Sequence, residues 1–139
     1  MLPPQTPSST PTNMERVRGR TYDPWEHADA IGVRVITRQL RFANELWLPD
    51  YRLIVLKSSM RPAHQRNALA HGVAHAVLGH RDDRPKHERQ ADRYAAWHLI
   101  DPRELEELGA WARDPGQLAS ELGVTRRLLL ALSDRCDGR

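Results

Sequence analysis

The stretch Leu69-Ala70-His71-Gly72-Val73-Ala74-His75-Ala76-Val77-Leu78-Gly79-His80 constrains this chain more tightly than any other. It is a run of helix formers and apolar residues that carries two histidines four positions apart. On an α-helix, residues i and i+4 are neighbours on one face. Two imidazoles held that way can both reach one zinc ion. The pattern is one residue away from H-E-x-x-H. The second position, where that motif holds the glutamate that acts as general base, is Gly72. The metal-binding half of the motif is present and its catalytic half is absent.

Two ligands do not complete a catalytic zinc site, which takes three from the protein and leaves a fourth position for water. The next helical segment offers Glu88-Arg89-Gln90-Ala91-Asp92. Glu88 and Asp92 again share a face. Glu88 can supply the third ligand, and Asp92 can accept the other ring N–H of a ligating histidine and fix its tautomer. Between His75 and Glu88 the chain has a glycine, a proline and a charged loop, enough to bring two helices antiparallel. Each half has a plainer reading as well. His-x-x-x-His pairs occur by chance on surface helices, and an acidic residue in a first helical turn complements the helix dipole. A carboxylate of the loop, Asp82 or Asp83, is a weak stand-in for the missing base, because no helical spacing places either one.

The remaining punctuation gives the rest of the fold. Residues 1–13 are Pro, Ser and Thr with almost nothing to bury, and with the basic stretch after them they read as a disordered tail over 1–20. Asp23-Pro24 caps a short helix that carries Trp25, Ala28 and Ile31 inward and stops at Gly32. Segments 32–40, 44–48 and 51–57 read as strands, the second with Leu46 and Leu48 on one face. Together they suggest an antiparallel meander. Helices are expected over 63–78, 86–99, 102–112, 115–122 and 126–133, punctuated by Gly79, Asp101-Pro102, Asp114-Pro115, Gly123 and Thr125. The expected fold class is therefore α+β: a three-stranded antiparallel sheet beside four or five helices, in a single domain over 21–135.

Composition narrows the setting. The one cysteine, Cys136, excludes a disulfide framework and a cysteine-based zinc site, which suits a reducing cytoplasm. No segment has the apolar length to span a membrane, and the N-terminus has no signal-peptide core. The net charge is +3 and nearly all the positive charge is arginine, with lysine only at Lys57 and Lys86. The 18 acidic residues are interspersed with the basic ones, which argues for an ordinary solvated surface over a nucleic-acid stripe.

The run LAHGVAHAVLGH, followed by ERQADRYAAWHLI and Asp101-Pro102, resembles the ImmA/IrrE family of zinc-metallopeptidase-like proteins. The resemblance covers about 22–133 and is strongest over 69–101. It implies a small sheet beside a helical bundle, with the zinc helix against the sheet. It implies zinc held by His71, His75 and Glu88, with Asp92 behind them. It also implies cleavage, or cleavage-linked inactivation, of a helix-turn-helix repressor in phage or mobile-element immunity or the DNA-damage response. His80 matches a family feature with no ligand role, and its five-residue offset from His75 reads as structural. With Gly72 in place of the general base, a loss of ~10²–10⁴-fold in rate is expected, down to a pseudoenzyme. Gly72→Glu is expected to raise activity without harm to folding.

A second reading is a DNA-binding regulator. Residues 117–132 resemble a helix-turn-helix, with Gly123 at the turn and Thr125-Arg126-Arg127 opening a recognition helix. Against it, Leu128 to Leu132 are too apolar to face a groove. Burial of these leucines with Leu118 and Leu122 separates the two readings.

Overall fold

The computed structural model describes residues 14–133. Residues 1–13 of the expected tail, and Cys136, lie outside them. The fold is α+β, with six α-helices and one three-stranded sheet among the described residues. The helices are α1 (Pro24–Ala30), α2 (Pro62–Leu78), α3 (Pro85–Leu99), α4 (Pro102–Gly109), α5 (Pro115–Leu122) and α6 (Arg126–Ser133). The strands are β1 (Arg34–Arg38), β2 (Glu45–Leu48) and β3 (Leu53–Lys57).

The helix boundaries follow the punctuation. Asp23 accepts from the backbone N–H groups of Trp25 and Glu26, Asp101 from Arg103, and Asp114 from Gln117. Each thereby pairs N–H groups that the first turn cannot satisfy. Thr125 Oγ1 accepts from Leu128 N at the start of α6. Gly79 closes α2 with φ 74°, a left-handed conformation that a side chain would strain.

The sheet differs from the expected meander. Its order is β1-β3-β2, with β1 parallel and β2 antiparallel to β3. The reason lies in the third strand. Ile54, Val55 and Leu56 are all buried, so β3 is apolar on both faces and takes the centre, while β1 and β2, each partly exposed, take the edges. On β2 the face that meets α2 carries Glu45 and Trp47, and Leu46, on the opposite face, is exposed. Leu46 and Leu48 share one face of β2 as expected, and it is the face turned away from α2. Trp25 is a correction, since it is exposed on the outer side of α1.

Two apolar clusters form the core. One lies between α2 and the sheet, with Ala28, Val33, Ile54, Leu56, Leu69 and Val73. The other joins α3, α5, α6 and the chain before α1, with Tyr22, Ala95, Leu99, Ile100, Leu122 and Leu128 among its members. Residues 14–20, expected as part of the tail, instead form two 3-10 turns on this second cluster. Glu15 reaches His27 and Tyr94, Arg18 Nε donates to the Trp97 carbonyl, and Met14 is buried. Apolar Met14 and Val17 and this set of polar partners supply the burial that the composition of 1–13 cannot.

Candidate metal centre

Helix α2 lies across the sheet with one flank toward α3. That geometry needs a close approach, which Gly72 permits. A Cβ built at position 72 would stand 3.1 Å from Ile54 Cδ1 and 3.3 Å from its Cγ2. One residue before this contact and three residues after it, the helix carries His71 and His75. Both are buried, at the floor of a cleft of about 740 Å³ that β2, α2, α6 and the loop before α3 enclose.

Helix α3 brings Glu88 to the same point. His71 Nε2 stands 3.0 Å from Glu88 Oε1, His75 Nε2 stands 2.8 Å from Glu88 Oε2, and the two Nε2 atoms are 3.0 Å apart. These three side chains form a group whose donor atoms all lie within 4.8 Å of one another. Donors on a tetrahedral zinc with bonds of 2.0–2.1 Å are separated by about 3.3 Å, so the triangle has nearly the size such an ion spans.

The surroundings turn the nitrogen lone pairs toward that triangle. Behind His71, Nδ1 is 2.9 Å from Asp92 Oδ1, close enough for an ion pair although off the line of a straight hydrogen bond. Behind His75, Nδ1 is 2.9 Å from His80 Nδ1, and His80 Nε2 is 2.8 Å from Gln90 Oε1. Gln90 Oε1 can only accept, so His80 carries its proton on Nε2 and accepts at Nδ1. His75 then donates from Nδ1, and its Nε2 offers a lone pair toward Glu88. Two imidazole nitrogens and a carboxylate oxygen thus converge, which is the donor chemistry of a zinc site. Without a cation, only protons can relieve the repulsion among these acceptors.

The electrostatics agree. Burial works against a charge on His71, but Asp92 and the carboxylates of Glu45 and Glu88 outweigh it and hold its pKa above the ordinary value. Burial, and then the neighbouring His71, push His75 down to about 4, against the pull of Glu88. One imidazole keeps a proton where its partner gives it up.

Of the residues read from the sequence, His71, His75, Glu88 and Asp92 are brought together as their spacing implied, and Gly72 lies beneath them against the sheet. Asp82 and Asp83 line the outer part of the cleft, and Asp82 is engaged by His87 Nδ1 at 2.7 Å and by the backbone N–H of Arg84. The sequence reading gave no role to Gln90 or Glu45, and it read His80 as structural without placing it. His80 is buried and holds His75 in place, Gln90 holds His80, and Glu45 enters the cleft from β2. The offset of His80 looked wrong for α2. The left-handed turn at Gly79 carries it back under the helix, where its N–H bonds the His75 carbonyl at 3.0 Å. The alternation of β2 was the available signal for Glu45.

The scaffold and the cleft define a class of centre: two histidines from one helix and a carboxylate from the next, on a helical bundle flanked by a small sheet. The chain matches the Peptidase M78 model, the IrrE N-terminal-like domain, over residues 28–131, and it belongs to that family. No curated protein gives a significant match.

The helix-turn-helix alternative meets its discriminator here. Leu122, Leu128 and Leu129 are buried in one cluster, with Leu118 and Leu132 packed against it, while Leu130 is exposed. The apolar face of α6 is core, on α3 and α5, and is not free to enter a groove. No helix among the described residues is long and apolar enough to cross a membrane.

Proposed function

We propose that this chain is a zinc-binding, metallopeptidase-fold regulator that acts in the cytoplasm on a helix-turn-helix repressor of a phage or mobile element. The observation that carries the metal reading is the convergence of His71, His75 and Glu88 at the floor of a cleft, in a chain of the IrrE-like family. The repressor as partner rests on the family resemblance. The exposed Phe42 and Leu46 beside the cleft supply apolar surface that a protein partner would cover.

In this reading His71, His75 and Glu88 hold the ion, and Asp92 and His80 orient the imidazoles. Bound zinc supplies Lewis acidity and a water of lowered pKa. The zinc helix itself contributes no base, because Gly72 has no side chain. Hydrolysis through this helix alone is slower by the ~10²–10⁴-fold that general acid–base catalysis supplies.

Metal analysis of the purified chain tests the proposal. One zinc per chain is expected, and His75→Ala should lose it. Metal content unchanged by that substitution would refute the assignment. Capture of the repressor encoded beside this chain, followed by inspection for cleavage, tests the partner. Recovery of no repressor would count against that part.

A further inference from the structure

The helix lacks its carboxylate, yet the cleft contains one that the metal triangle does not use. Ile54 pairs with Trp47 across the β2–β3 ladder, and Leu56 pairs with Glu45. Paired residues point to the same face of a sheet, and side chains alternate along a strand. Ile54 meets Gly72 of α2, so Trp47 and Glu45 rise from the sheet toward that helix as well. Trp47 Nε1 donates to the His80 carbonyl at 3.0 Å and fixes β2 against the turn that follows α2. Two residues along, Glu45 is half-buried and lines the cleft together with His71, His75 and Glu88. It stands outside the group of mutually close donors.

A side chain at position 72 would leave the helix on its sheet side, where Ile54 now fills the space. Glu45 approaches the triangle from that same side, carried by the sheet instead of the helix. We propose that Glu45 is the general base of this site and supplies the carboxylate that Gly72 cannot; the inference rests on the metal reading above.

Glu45 takes a proton from the attacking water as the water oxygen bonds to the scissile carbonyl carbon. It delivers that proton to the amide nitrogen as the C–N bond breaks. A carboxylic acid and an amine leave, and the carboxylate is regenerated. Glu45 stands in the same cleft as the three donors and comes from a different element, so it can face a bound water without ligating the ion. His71, Glu88, Asp92 and Arg127 are the charged groups that act on it.

The test uses the full chain loaded with zinc, and acetohydroxamate as the probe. A hydroxamate chelates zinc and places an N–H or O–H against a general-base carboxylate. Removing a charged hydrogen-bond partner costs about 10- to 100-fold in affinity. Glu45→Gln is expected to bind one zinc as tightly as the parent chain and to bind acetohydroxamate about 10- to 100-fold more weakly. Glu45→Asp, which keeps the charge but withdraws it, should also be weakened, and it serves should the glutamine variant fail to fold. Unchanged hydroxamate affinity in these variants would overturn the proposal. Loss of zinc from Glu45→Gln would also overturn it, by making Glu45 a ligand. A parent chain that binds no zinc overturns the metal reading itself, a result distinct from both.

Discussion

At position 72 the packing of α2 on the sheet takes up the space beside the helix. Glycine lets α2 settle on Ile54, and the contact distances leave no room for a Cβ without movement. Whether Gly72→Glu leaves folding intact, as expected from helix propensity, therefore turns on Ile54 giving way by a few tenths of an ångström. A longer side chain here over-packs a buried helix–sheet contact, at ~1–3 kcal/mol. Urea denaturation should show Gly72→Glu less stable by at least that much. Ile54→Val removes the nearest atom, Cδ1, so the double variant should be more stable than the sum of the single effects, by ~0.5 kcal/mol or more. Strict additivity would show that the two residues do not share the space. His80 offers a second check. A partner that orients a ligating histidine typically contributes ~10–100-fold in metal affinity. His80→Ala should weaken zinc binding by that factor in a chelator competition, with the fold intact. Unchanged affinity would leave His80 a packing residue.

Single elements were legible to different degrees. The helices announced themselves through their caps, because Asp-Pro and a following glycine act within a few residues of chain. The metal pairs on α2 and α3 were equally readable, since i,i+4 spacing is a property of one helix. The strands were found, but their order was not. Edge and centre depend on which faces other elements cover, and no local rule states that. The burial of Val55 as well as Ile54 and Leu56 decided it. The C-terminal pair shows the same limit in reverse. Its local pattern suits a recognition helix, yet α6 packs Leu128 at 1 % exposure into the second core cluster. Leu128→Ala should destabilise the chain by ~2–5 kcal/mol. An equilibrium unfolding curve shifted by less than 1 kcal/mol would mean that α6 packs loosely. By the same argument, duplex DNA should bind with only the weak, salt-sensitive affinity of a modestly basic surface.

At the scale of the whole molecule, the segment before α1 ties the sheet half to the bundle. Tyr22 Oη and His27 Nδ1 are 2.7 Å apart, Glu15 reaches His27 Nε2 at 2.9 Å and accepts from Tyr94 Oη at 2.8 Å, and His98 Nδ1 donates to the Val17 carbonyl at 2.8 Å. This network makes stability depend on pH. Burial holds His98 below its ordinary pKa of 6.5, so the unfolded chain takes up the proton first. That contribution is complete above pH 6.5 and is lost as pH falls below it. For Glu15, burial would raise the pKa, but the hydrogen bonds from Tyr94 and His27 outweigh it and hold the carboxyl below 4.5. Its contribution is present above pH 4.5 and is lost as pH falls through the folded value. Urea midpoints measured from pH 7.5 to 3.5 should therefore decline in two stages. Tyr94→Phe should flatten the lower stage and leave the upper one. A single decline that Tyr94→Phe does not alter would place the acid sensitivity elsewhere.

The sequence by itself determined the helix bounds, apart from the end of α4 at Gly109 in place of 112, the α+β class and the four polar residues that converge on the cleft beside Gly72, because these depend on neighbours within a turn or two of chain. Only the tertiary structure decided the mixed order of the sheet, the burial of α6, the packing of residues 14–20, and the places of His80, Gln90 and Glu45. Each of these is a contact between segments far apart or joined through a turn, fixed by which surfaces must leave water together. Glu45 depends on three such facts: the face of β2, the approach of α2, and the space that Gly72 leaves for Ile54.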